Sequence, residues 1–261
     1  MKRGNPCPAP ALAIVIKENR GTGSLKFTQS EVDGLNSRID TAAGALEWAS
    51  ENLHPRVAKA SSFGAEDAAV MDMMAGINPG FRFFTLDTGR LPEATYDAME
   101  AARKRYGIKL EVLFPDAAEV EEMVNKSGPN LFYESVENRK LCCDIRKVRP
   151  TNKYLAGLDG WITGLRRDQT RNRGGARMFE IDGGHGGILK INPIIEWTWE
   201  QIWAYIKEHD VPYNRLLDEG YASIGCEPCT RAIKPGEDLR AGRWWWESNS
   251  QKECGLHVRQ K

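Results

Sequence analysis

The chain has 261 residues, with 36 Lys plus Arg balanced against 36 Asp plus Glu, a 41% hydrophobic fraction and eight Trp. That composition supplies one large packed core, and its neutral balance excludes a general polyanion-binding surface, so any anion site is local. No apolar run approaches the ~20 residues of a membrane span, and six cysteines in a chain this long read as reduced, working thiols, so the expectation is a soluble cytoplasmic protein. Neither nucleic acid nor a membrane is an expected partner, whereas a homo-oligomer is.

Residues 1–28 read as a flexible tail. The short run from Ala11 to Ile16, beside prolines and followed by Lys17 and Glu18, lacks the pattern of a cleaved signal. Residues 29–233 carry the regular pattern of one α/β domain. Val32, Leu35, Ile39, Ala42, Leu46 and Trp48 recur at helical spacing, predicting an amphipathic helix over 30–53 with Ser30 as its cap. Short apolar runs and helical stretches then alternate: a strand at 57–61, a helix at 65–75, a strand at 81–86, a helix at 93–106 and a strand at 110–114. This alternation predicts a mainly parallel sheet flanked by helices. Helices near 117–125 and over 137–155 and a strand at 161–164 continue it. The runs 177–181 and 188–191 flank DGGHGG as a glycine-rich hairpin, and 198–208 is the last helix. Residues 234–261 form a C-terminal segment that docks or moves, with Trp244 to Trp246 as anchors.

Two cysteine pairs, Cys142-Cys143 and Cys226-Glu-Pro-Cys229, supply four soft ligands, enough for one tetrahedral ion or the four irons of a [4Fe-4S] cluster. Adjacent cysteines diverge, which suits a bulky cluster better than zinc, although zinc and buried thiols stay open on the residues alone. Cys254 stands apart, with Lys252 and His257 able to favour its thiolate; it is a nucleophile or an ordinary tail cysteine.

Three segments fall where strands end. Ser61, Ser62, Phe63 and Gly64 open SSFGAED at a strand-to-helix junction, whose free N–H groups and helix dipole suit an anion. Asp87, Thr88, Gly89 and Arg90 end the next strand. Arg166, Arg167, Arg171 and Arg173 crowd the loop GLRRDQTRNR, where guanidinium forks match phosphate or sulfate oxygens. Neither GxxxxGK[ST] nor a GxGxxG after a strand is present, which argues against a Walker ATPase and a classical dinucleotide fold.

Together SSFGAED, LDTGR, the Cys-Cys pair followed by Arg146 and Lys147, GLRRDQ, SIGCEPCT and ECGLH resemble the assimilatory adenylyl-sulfate (APS) reductases of the PAPS/APS reductase family, in order across residues 60–257. The resemblance implies an adenine nucleotide α-hydrolase-like fold with a mobile C-terminal tail. SSFGAED would be a modified pyrophosphatase loop in which Phe63 and Gly64 replace paired glycines. It further implies a [4Fe-4S] cluster on Cys142, Cys143, Cys226 and Cys229, Cys254 as nucleophile, and Lys147, Arg240 and Arg243 as substrate contacts. The implied reaction converts adenosine 5′-phosphosulfate to sulfite and AMP through an S-sulfocysteine, with thioredoxin or glutaredoxin as thiol donor. The 3′-phosphorylated substrate PAPS is the alternative, although relatives that use it typically lack both cysteine pairs.

Overall fold

The computed structural model describes residues 26–169, 173–247 and 256. Two helices, α1 (Gln29–Arg38) and α2 (Ala42–Leu53), lead into strand β1 (Val57–Ser61). The single helix expected over 30–53 is therefore two. Thr28, not Ser30, caps α1 with a capping box to Glu31, and Thr41 caps α2 by accepting from the Gly44 N–H. A side-chain acceptor at each start satisfies an orphan amide, so the chain gains by breaking at 39–41.

From β1 the chain runs through α3 (Ala65–Ile77), β2 (Arg82–Leu86), α4 (Glu93–Tyr106), β3 (Leu110–Leu113) and α5 (Ala117–Ser127). The helical stretch expected over 137–155 is divided: α6 (Val136–Cys143), a π-helical turn (Asp144–Val148) and α7 (Arg149–Leu155). Strand β4 (Gly160–Ile162) begins one residue before the expected run and stops two before its end. β5 (Phe179–Asp182) and β6 (Ile188–Ile191) form the hairpin, and α8 (Trp199–Glu208) follows, capped by Thr198.

The six strands are ordered β3-β2-β1-β4-β6-β5, parallel except for the antiparallel β5–β6 pair. Phe83 and Phe84 on β2 are almost fully buried and face opposite sides of the sheet, one in each of two apolar clusters. Burying each contributes roughly 1.5–3 kcal/mol, so both faces must be covered, as the helices do. After α8 the chain has little regular structure yet remains packed: Trp244 is 1% exposed within a cluster containing all four paired cysteines. The C-terminal stretch is thus docked at least to Glu247. No helix among the described residues is long and apolar enough to cross a membrane.

Candidate active site: an anion cleft beside a four-thiol chamber

The strand order reverses between β1 and β4, and open α/β sheets bind ligands outside the carboxyl ends of strands at such a switch point. A cleft of ≈ 1450 Å³, including its solvent mouth, opens there. Ser61, Ser62 and Gly64 line it after β1, Thr88 after β2, and Thr163 to Arg166 after β4.

The loop after β1 is shaped from beneath. Lys59 is fully buried in the middle of that strand and pairs with Asp67, whose other oxygen accepts from the Ser62 N–H at 2.6 Å and the Ser62 hydroxyl at 2.8 Å. Phe63 takes a left-handed φ of 58° that is uncommon for a bulky residue, and its N–H reaches Ser61 Oγ at 3.2 Å. Asp67 also sits under the β4 loop: a Cβ on Gly164 would lie 2.7 Å from its Oδ1, so only glycine permits that approach.

Arg166 is fully buried. Its Nε donates to Glu66 at 3.0 Å, Nη1 reaches Asp168, and its guanidinium lies 5.5 Å over the Trp199 ring, while Nη2 has no hydrogen-bond partner. A buried guanidinium donor left unmade is costly, and this side chain borders the cleft, so an anionic ligand there can accept from it. Gln169 donates to the same Glu66 oxygen at 2.8 Å, and Arg173 reaches Gln169.

Beside the cleft lies a second space of ≈ 370 Å³, lined by Cys142, Cys143, Cys226 and Cys229 with Arg90, Arg139, Arg146, Lys147 and Arg243. All four cysteines are buried, and none forms a disulfide among the described residues. Thr88 Oγ1 stands 3.2 Å from Cys226 Sγ, and Arg146 donates to the Thr88 carbonyl at 2.6 Å. Burial pushes the Cys142 thiol up against the pull of Arg146, and burial beside Cys226 pushes Cys229 up to about 12. For Cys226 burial also acts upward, but Lys147, the Thr88 hydrogen bond and Arg243 together outweigh it and hold this thiol below its ordinary value. Among the described residues no three or more His, Cys, Asp or Glu are gathered to hold a single ion. The sulfurs line a chamber instead of meeting at a point. Lys147 and Arg243 line both chamber and cleft. A Cβ on Gly225 would lie 2.3 Å from the Arg243 guanidinium, so glycine beside Cys226 admits that cation.

Of the residues singled out in the sequence, Ser61, Ser62, Gly64, Thr88, Lys147, Arg166, Arg173, Arg240 and Arg243 line the cleft. Others point elsewhere. Asp87 accepts from the Gly89 N–H at 2.8 Å and from Tyr96, and Arg90 turns to the Pro129 carbonyl, to Asn130 at 3.0 Å and to the thiol chamber. Arg167 donates to the Ala176 carbonyl at 3.0 Å and to Glu196 at 2.6 Å. Arg171, Cys254 and His257 lie outside the described residues. Leu256, however, is on the cleft wall. Sequence reasoning missed Glu66, Asp67 and Gln169. The acids read as ordinary first-turn residues of α3, and only the five-residue spacing from Ser62 to Asp67 hinted at a loop-to-helix hydrogen bond.

The model of the phosphoadenosine phosphosulfate reductase domain matches residues 56–232. An adenosine 5′-phosphosulfate reductase from Burkholderia cepacia is 49% identical, the match covering 78% of this chain and 82% of that protein. One from Neisseria meningitidis serogroup B is 41% identical, with 91% and 93% covered. Among solved structures, a phosphoadenylyl-sulfate (PAPS) reductase from Candida auris in a phosphate complex is 30% identical, with a TM-score of 0.69 over 81% of this chain and all of that one. Yeast FAD synthetase, 11% identical with a TM-score of 0.51, shares the fold alone.

Proposed function

The chain belongs to the phosphoadenosine phosphosulfate reductase domain family, and from that premise we propose that it reduces adenosine 5′-phosphosulfate to sulfite and AMP, with Cys254 as nucleophile. The observation that carries the mechanism is Leu256 on the cleft wall. Two residues span at most about 7 Å of extended chain, so Cys254 is tethered within reach of an anion held there.

The loop after β1, with Gly64 opening α3, offers N–H groups and a helix dipole to the nucleotide's anionic end. Arg166 supplies its unpartnered buried Nη2, and Lys147, Arg240 and Arg243 add positive charge along the wall. The Cys254 thiolate attacks the sulfate sulfur, forming an S–S bond as the S–O bond to AMP breaks and its electron pair leaves on the phosphate oxygen. A dithiol partner, thioredoxin or glutaredoxin, then attacks Cys254 Sγ and releases sulfite with the S–S electron pair. Its second thiol resolves the mixed disulfide, so two thiols become one disulfide while the sulfur gains two electrons.

A [4Fe-4S] cluster fits the chamber chemically: the donors are four soft thiols on one space, one for each iron, and cations line it. Cys142, Cys143, Cys226 and Cys229 would hold it. When bound it supplies fixed negative charge and a cross-link between α6 and the 226–229 turn. Four buried thiols outside any disulfide also support a reducing, cytoplasmic setting. Exposed Val112 on edge strand β3 and Phe114 just after it support a homo-oligomer, which light scattering would test.

Mass spectrometry after mixing the protein with adenosine 5′-phosphosulfate and no thiol donor tests the mechanism. Wild type should gain one sulfonate and Cys254→Ser none; an unmodified wild type, or a sulfonated variant, overturns it. The likeness to a PAPS reductase structure favours one second reading, use of the 3′-phosphorylated nucleotide. Comparing kcat/KM for the two nucleotides decides between them.

A further inference from the structure

Arg139 lies on α6, three and four residues before Cys142 and Cys143, so all three share one helix face. Its guanidinium lines the thiol chamber and forms a two-pronged pair with Glu247: Nε to Oε1 at 2.8 Å and Nη2 to Oε2 at 3.0 Å. The two side chains are only 1% and 3% exposed. The same guanidinium lies 4.6 Å over the Trp244 ring, and the Trp244 N–H donates to the Cys229 carbonyl at 3.2 Å. Glu247 thus fixes the chain to the thiol-bearing elements at one point, and Leu256 stands on the cleft wall nine positions later.

Ion pairs this deeply buried seldom add stability over an apolar pair of equal volume, whereas their geometry is directional. We propose that Arg139 and Glu247 are positioning residues: together they set the point and direction from which the C-terminal segment approaches the cleft, and so deliver Cys254 to the bound nucleotide. This rests on the reading of Cys254 as nucleophile. Neither side chain lines the cleft. Their loss acts on the transfer step and not on nucleotide binding.

Tether length separates this from a passive role. If Glu247 lets go and Trp244 becomes the last anchor, the tether to Cys254 grows from seven to ten residues, and effective concentration falls by less than about twofold by its −3/2-power dependence on length. A directional role demands more. Glu247→Gln, and separately Arg139→Met with Glu247→Met, should lower single-turnover sulfonation of Cys254 by about tenfold or more at saturating nucleotide. AMP affinity and the iron content of the purified protein should stay within about twofold of wild type. The paired methionines keep apolar packing where glutamine strands a buried charge, so if Glu247→Gln fails to fold, the Met pair decides. Sulfonation within about twofold of wild type in a folded variant overturns the proposal, as does an equal loss of AMP affinity. A wild type that takes no sulfonate defeats the underlying reading instead.

Discussion

Asp67→Asn is the sharpest probe of the anion loop, because the substitution keeps shape and removes charge. Asp67 has an 11% exposed side chain, pairs with a fully buried Lys59 and accepts from both the N–H and the hydroxyl of Ser62. Removing one member of a buried pair costs about 3–5 kcal/mol, and the amide oxygen can still accept from Ser62, so the lower end, about 3 kcal/mol, applies. At about 2–4 °C per kcal/mol for a chain near this size, thermal unfolding should fall by roughly 6–12 °C. A neutral amide oxygen accepts from Ser62 more weakly than the carboxylate, which loosens the loop as well. An additional 1–2 kcal/mol there weakens AMP binding about five- to thirtyfold. The control is Lys59→Met with Asp67→Leu, where an apolar pair replaces the ionic one and should restore Tm to within about 3 °C. It cannot hold Ser62, so AMP affinity measured by calorimetry should stay low. If the double variant recovers both properties, Asp67 serves stability alone; if Asp67→Asn changes neither, the pair does not support the loop.

Arg166→Lys should raise KM for the nucleotide about tenfold or more in steady-state assays, since lysine cannot keep the Glu66 contact and also present a second donor to the cleft. The Arg82 hydrogen bonds, with a lesser one from Tyr154, hold the Glu111 carboxyl below its usual range. A depressed folded value stabilises above the unfolded value of about 4.3 and is lost as pH falls through the folded one, so in urea titrations Glu111→Gln should lower the midpoint at pH 6 and lower it by less at pH 3. A gap unchanged between those pH values contradicts that assignment. Thr41→Ala should cost about 1 kcal/mol by removing the cap of α2, read as a Tm loss of about 2–4 °C. Iron and sulfide analysis should give about four of each per chain and no stoichiometric zinc, and Cys142→Ser should lower both.

How far the sequence could be read depended on which physical signal each element carried. β1, α4 and β6 have the expected bounds because apolar runs and helical period end at turn residues or glycine. The break between α1 and α2 was invisible to periodicity, since Ile39, Ala42 and Leu46 keep helical spacing across it. Thr41 as a second cap was the available clue. The π-helical turn spans five residues, too few for its wider period to show. Lys59 is the one charged residue within the run 57–61, and its full burial is explained only by its juxtaposition with Asp67. Arg166 and Arg167 are neighbours of the same type, yet one borders the cleft and the other turns to Ala176 and Glu196. Composition cannot separate them, because the distinction lies in which side of the backbone faces the ligand.

The two spaces work as one electrostatic unit. Among the described residues the thiol chamber is lined by five cationic side chains and no carboxylate, although Glu247 answers Arg139 from beside it. Arg139, Arg146 and Arg243 are each more than nine-tenths buried, where a positive charge is expensive unless it is answered. Burial holds Cys142 and Cys229 toward the neutral thiol, whereas Cys226, against its own burial, is drawn toward the thiolate by Lys147 and Arg243. Those same two side chains border the nucleotide cleft, so a negative occupant of either space lowers the cost of keeping them charged and buried. On the proposed reaction, a negatively charged cluster in the chamber would keep Lys147 and Arg243 in place before the nucleotide arrives, and their field would favour the charge that develops on the departing phosphate.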